Sequence, residues 1–211
     1  MRARHIGRHG TTVLKDHEWA DMIETGGYRG LIFDCDGTLV LSEDAHFAAF
    51  SEAVARQGRT LNRGWYDART GLDRTGLLTA CAEQVLPGLD IGQATSDSIA
   101  AYIAQDAPLP KVEEVVTLAH RFRKLARIVA TNAEGAVAAA SLTRAGIIDL
   151  FDAVVAVDDV DAPKPAPSMF LKAAQIAGLQ SQDMLVIEDS PQGASAAERA
   201  GMDVLLLDHA D

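Results

Sequence analysis

Apolar positions along the chain change their spacing twice, and the changes divide it into parts. A short apolar run at 31–33 is cut off by Asp34-Cys35-Asp36-Gly37, the pattern of a buried strand running into a polar loop. From Ser42 to about residue 107 the spacing is helical. Ala45, Phe47, Ala49, Phe50 and Val54 make a first apolar stripe, Gly58, Asn62 and Gly64 a break, and 73–85 and 95–105 two further helices separated by Pro87-Gly88. Ala107-Pro108-Leu109-Pro110 is a stiff connector. Helix and strand then alternate: helices at 112–122, 135–145, 167–177 and 192–200, strands at 127–130, 153–157, 184–187 and 204–207. Gly146, Gly178 and Gly201 stand where left-handed caps would stop three of the helices.

Strands separated by helices predict an α/β protein with a Rossmann-like parallel sheet core, helices on both faces, and an inserted α-helical cap. The expected division is a core domain of residues 29–41 and 111–211, a cap of residues 42–110, and residues 1–28 as an extension before the fold proper, in which Trp19, Met22 and Ile23 suit a short packed helix. Little chain follows the last strand. Its edge is expected to be covered by the N-terminal extension or by a second subunit.

Composition narrows the function. The 211 residues are 48% hydrophobic and 23% charged, as in a soluble globular protein, and the formal net charge of −11 repels nucleic acid and anionic membrane surfaces. No apolar run is long enough for a membrane span, and the basic start MRARHIGRHG lacks the apolar stretch of a secretory signal. Two cysteines, Cys35 and Cys81, without a spaced Cys/His cluster fit a reducing cytoplasm and argue against a disulfide framework or a zinc site. Both read as buried side chains, and His5, His9, His17, His120 and His209 as surface residues. A monomer or a homodimer is compatible with this pattern.

Ligands in such sheets bind beyond the carboxyl ends of the strands. Those ends carry Asp34 and Asp36, Thr131 and Asn132, and Glu188 and Asp189, with Lys164 in the loop after the strand at 153–157. Carboxylates gathered at one edge cannot all stay ionised without a cation, and an all-oxygen donor set points to Mg²⁺. A cation and Lys164 would let an anionic nucleophile approach a phosphate, Thr131 could donate to a phosphoryl oxygen, and Gly37 allows a tight turn whose amide could face the phosphate.

These motifs resemble those of the haloacid dehalogenase superfamily. Asp34-Cys35-Asp36-Gly37-Thr38 is similar to its first motif, Thr131-Asn132 to its second, Lys164 to its third, and Glu188-Asp189-Ser190 with Gly193 to its fourth. Lys164-Pro165-Ala166-Pro167 followed by Phe170 is similar to the β-phosphoglucomutase-like subgroup. The resemblance implies that Asp34 is the nucleophile that becomes an aspartyl phosphate, with Asp36 as general acid and base. It implies Mg²⁺ held by Asp34, the Asp36 backbone carbonyl and Asp189, with Glu188 assisting, and Thr131 and Lys164 as further catalytic groups. Gly37, Asn132, His46 and Arg74 would then lie on substrate, His46 gating Asp36. Bland alternatives stand beside the cap residues: His46 as a helix residue near the hinge, Arg74 as solvated surface, Trp65 and Tyr66 as core.

The expected activity is hydrolysis of a small phosphorylated metabolite, a sugar phosphate. A phosphosugar mutase is the alternative, and a non-catalytic binding protein a remote one. Residues 42–110 contain no lysine, which excludes Schiff-base phosphonate chemistry and demotes the mutase. Leu41 stands where the subgroup carries an aspartate, so hinge and substrate contacts there are not carried over.

Overall fold

The computed structural model describes residues 1–8, 10–69 and 72–208; the expectations placed on His9 and His209 lie outside them. The chain forms two compact units, Met1–Leu41 with Leu109–Asp211, and Ser42–Pro108.

In the first unit the strands are β1 (Arg2–Gly7), β2 (Gly10–Lys15), β3 (Gly30–Phe33), β4 (Ala126–Ala130), β5 (Ala153–Val155), β6 (Met184–Glu188) and β7 (Asp203–Asp208). They form one sheet in the order β2-β1-β7-β6-β3-β4-β5. From β5 to β7 neighbouring strands are parallel, whereas β1 joins β7 and β2 antiparallel. The helices of this unit are α1 (Asp16–Gly26), α6 (Glu113–Arg121), α7 (Gly135–Arg144), α8 (Ser168–Ala177) and α9 (Pro191–Arg199). Strands β3 and β6 are buried at every position, as strands covered on both faces must be, and so read as unbroken apolar runs. One core joins Ile32, Ile128, Val155 and Val186 of the sheet to Met169, Phe170 and Ala173 of α8 and Ala196 and Ala197 of α9.

Residues 1–28 are part of this fold, not an extension before it. Two strands and α1 occupy them, and β1 lies along the edge of β7 from Arg2↔Asp208 to Ile6↔Val204. Trp19 and Ile23 of α1 are buried, and Gly27 caps the helix at φ 72°. Pairing satisfies the N–H and C=O row that β7 would otherwise leave open.

Residues 153–157 are shorter as a strand than their pattern suggests. After Val155 the chain tightens into a 3₁₀ turn, Val157–Asp159, and Val157 N–H donates to Ala133 O at 3.1 Å.

The second unit holds α2 (Glu43–Arg56), α3 (Arg63–Asp67), α4 (Arg74–Gln84) and α5 (Ile91–Ile103). Its core is Phe50, Val54, Leu61, Tyr66, Leu77, Leu78 and Cys81 with Ala94. Two side-chain caps explain where it departs from the apolar pattern. Asn62 Oδ1 accepts the Trp65 N–H at 2.9 Å and starts α3 in a stretch that reads as a break, and Asp90 Oδ1 accepts the Gln93 N–H at 2.9 Å and starts α5 four residues before Thr95.

Candidate active site

Register brings distant residues together. Phe33 lies opposite both Val129 and Ile187, and Ala130 opposite Val155, so β3, β4, β5 and β6 end at one edge. Asp34 continues β3 for one more bond, its N–H donating to Ile187 O at 3.0 Å. Asp34, Thr131 and Glu188 therefore stand on adjacent strand ends.

Lys164 ties these ends together. Its Nζ donates to Asp34 Oδ1 at 2.6 Å, Glu188 Oε1 at 2.7 Å and Ala130 O at 2.8 Å, and lies 5.0 Å from the centre of the Phe170 ring. The ammonium is fully enclosed, while the Asp34 side chain keeps 11% exposure and so still reaches the surface. The remaining Glu188 oxygen, Oε2, accepts the N–H groups of Asp189 and Ser190 and the Ser190 hydroxyl, at 2.8 to 2.9 Å. Ser190 Oγ in turn accepts the Gly193 N–H at 3.0 Å and caps α9.

Burial raises the Asp34 carboxyl well above the ordinary carboxylate range, and Glu188 and Asp189 push it the same way against the pull of Lys164. Burial opposes the charge on Lys164, but Asp34 and Glu188 outweigh it and hold the ammonium protonated. Asp34, Glu188 and Asp189 offer oxygens within 4.8 Å of one another, and Lys164 pairs with the first two. An all-oxygen cluster of carboxylates fits one hard divalent cation. These three residues could hold it.

Asp189 is fixed from two sides. Thr38, fully buried, donates its hydroxyl to Asp189 Oδ1 at 3.1 Å. Gly37 turns with φ 86°, and a Cβ there would collide with Asp189 Oδ2. The Gly37 N–H donates to Val40 O at 2.8 Å, so the amide expected to face a phosphate is taken up by the turn. Asp36, just before Gly37 in the same loop, is half-buried and bridged to Val40.

Thr131 is buried at the end of β4, and its hydroxyl accepts the Ala133 N–H at 3.1 Å, which leaves its own proton to donate. Asn132 bonds the main chain of Lys164. Its Oδ1 accepts the Lys164 N–H at 2.8 Å and its Nδ2 donates to Lys164 O at 3.3 Å. Cys35 is buried, and its thiol is pushed up by burial and by Asp36 and Asp34.

Within the second unit, the His46 ring stacks on Tyr102 at 4.2 Å between centres. Arg74 is not solvated surface. It is buried, its guanidinium lies 4.9 Å from the centre of the Phe50 ring, and Nη1 donates to Ser98 Oγ at 2.9 Å. Tyr66 is buried in that core and Trp65 packs against it beneath the Arg69 guanidinium. Sequence motifs point to Ser190 and Thr38 without indicating that they hold Glu188 and Asp189. The Ala130 carbonyl as a partner of Lys164 leaves no side-chain signal at all.

The chain is similar to several known proteins. Residues 28–201 match the family model described as haloacid dehalogenase-like hydrolase. A fructose-1-phosphate phosphatase, YqaB, of Escherichia coli (strain K12) is 36% identical over 182 residues, covering 84% of this chain and 95% of its own length. Protein CbbY of Rhodobacter capsulatus is 34% identical over 197 residues, 84% of each chain. The crystal structure of CbbY from Rhodobacter sphaeroides in complex with phosphate shares the fold, with a TM-score of 0.76 over 84% of each chain at 22% identity.

Proposed function

The chain belongs to the haloacid dehalogenase-like hydrolase family, and from that premise we propose that it is a Mg²⁺-dependent phosphatase acting on a small sugar phosphate through an aspartyl phosphate on Asp34. One observation carries this reading: a buried Lys164 bridges Asp34 and Glu188 beside Asp189, so that three carboxylates which a divalent cation could join meet one ammonium at the end of the sheet. The name of the Escherichia coli relative, a fructose-1-phosphate phosphatase, supports the substrate class.

A cation bound by Asp34, Asp189 and the Asp36 carbonyl, with Glu188 assisting, would supply neutralisation of phosphoryl charge. The chain's own groups do the rest. An Asp34 carboxylate oxygen attacks phosphorus as the ester P–O bond breaks, and Asp36 gives its proton to the departing oxygen. Water then loses a proton to the Asp36 carboxylate and attacks the same phosphorus, releasing inorganic phosphate and restoring Asp34. Such proton transfer contributes about 10²–10⁴-fold. Lys164, held protonated, and the Thr131 hydroxyl stabilise charge on the peripheral oxygens, which is where a loose phosphoryl transition state concentrates it. No step calls for a cap lysine, and residues 42–110 have none.

The test is inorganic phosphate release from a panel of sugar phosphates, with Mg²⁺ and with chelator. Release that depends on Mg²⁺ is expected. Isomerisation of a sugar phosphate without release, or turnover that survives chelation, would overturn the proposal.

A further inference from the structure

We propose that Asn132 is a positioning residue whose side-chain amide fixes the main chain of Lys164, so that it acts on the reaction through the ammonium and not by touching substrate. Both polar groups of its amide meet one residue: Lys164 N–H donates to Oδ1 at 2.8 Å, and Nδ2 donates to Lys164 O at 3.3 Å. An asparagine paired this way imitates a neighbouring strand. No main-chain to main-chain hydrogen bond involves Lys164 among the described residues, so the side chain of Asn132 supplies what secondary structure supplies elsewhere.

Distance along the chain makes the anchor necessary. Lys164 sits in a loop that leaves the sheet at Val155 and returns only at α8. From there its Nζ has to reach across the ends of three strands, to Ala130 O of β4, Asp34 beyond β3 and Glu188 of β6. A flexible four-carbon stem can make those bonds from many backbone positions, so the backbone has to be fixed by something else. Asn132 is rigidly placed for this. Thr131 N–H is bonded to Val155 O at 3.0 Å, and the Thr131 hydroxyl accepts the Ala133 N–H, so the chain on either side of Asn132 is held. Both ends of Lys164 thus return to the end of β4, the main chain through Asn132 and the head through Ala130.

The kinetic arm of the test rests on the phosphatase reading; the labelling arm does not. Asn132→Ala and Asn132→Asp are made alone and on a Lys164→Ala background. Asn132→Ala is expected to lower kcat by about 10–100-fold, the scale of a small misplacement near the chemistry, with KM changed by less than about threefold. That loss should vanish on the Lys164→Ala background, because the two residues act as one unit. An equal loss in both backgrounds, or a rise in KM alone, would make Asn132 a substrate contact and overturn the proposal. In parallel, lysines are labelled competitively with acetic anhydride and quantified by mass spectrometry. Lys164 should label about tenfold faster in Asn132→Ala while exposed Lys172 does not change. Asn132→Asp keeps the acceptor for the Lys164 N–H and should fall between, which serves also if the alanine variant fails to fold. Unchanged labelling of Lys164 would refute the clamp. A wild-type chain that hydrolysed no phosphate ester would sink the phosphatase reading and leave the labelling result to decide this one.

Discussion

Asp34 is asked to be charged in a place that disfavours charge. Burial lifts its carboxyl, and the neighbouring Glu188 and Asp189 add to that. A folded-state value above the unfolded one means that the stability it contributes is present at low pH and is lost as pH rises through the folded value. At neutral pH without a divalent cation, the ionised carboxylate is therefore a burden on the fold. Asp34→Asn should melt at or above the wild-type temperature in chelator, while phosphate release falls to background. Retained turnover would remove Asp34 as nucleophile. Gly193 shows the opposite dependence, on space. A Cβ there would overlap the Glu188 carboxyl, which carries Lys164 on one oxygen and Ser190 on the other. Gly193→Ala should cost about 1–3 kcal/mol in urea unfolding, the usual scale of overpacking, and lower turnover as well. An unchanged midpoint would mean that Glu188 has room to move.

At the scale of elements, the N-terminal hairpin is held to the sheet by a polar chain as well as by strand pairing. Tyr28 Oη donates to Asp203 Oδ2 at 2.8 Å, so the 3.0 Å contact between His5 and Tyr28 Oη needs the proton on His5 Nε2. Burial lowers the imidazole below its ordinary value, with Asp203 pulling the other way, while Arg8 pairs with Asp203 from the same hairpin. His5 thus stays neutral where the unfolded chain would already take a proton. Stability is unaffected above the ordinary histidine range and falls as pH drops through it, until the folded value is passed. His5→Gln keeps a donor and cannot titrate, so its melting temperature should fall less than wild type between about pH 7 and pH 5.5. Parallel slopes would assign the acid sensitivity to other groups.

For the whole molecule, an excess of acid meets an anionic ligand. The net charge is −11, so attraction for a phosphate ester must come from a few placed cations and not from the overall field. The site itself gathers three carboxylates, Asp34, Glu188 and Asp189, within reach of one ion. Mg²⁺ should therefore raise the melting temperature of the wild type. A ligand at a hundred times its dissociation constant stabilises by about 2.7 kcal/mol. Asp189→Asn should show a smaller shift at the same concentration, and equal shifts would place the ion elsewhere.

Most of the architecture was legible in the chain, for definite reasons. Buried parallel strands are continuous apolar runs, and the glycines after α7, α8 and α9 adopt the left-handed conformation their positions suggested, at φ 67°, 65° and 73°. The polar residues at the ends of β3, β4 and β6 marked one edge because parallel strands share a direction. The hairpin was harder to see. Thr11, Thr12 and Val13 suit a strand and Gly7 and Gly10 a turn, but half of β1 is basic, and its exposure is settled only by pairing with β7.

Sequence by itself determined the residue types, their order and the apolar periods, because those depend on chemistry and local geometry. Tertiary structure decided what each polar group faces. It turned the Gly37 amide to Val40, Arg74 inward to Ser98, and the Asn132 amide to the main chain of Lys164. Hydrogen-bond partners far apart in the chain are chosen by packing, and packing leaves no spacing to read.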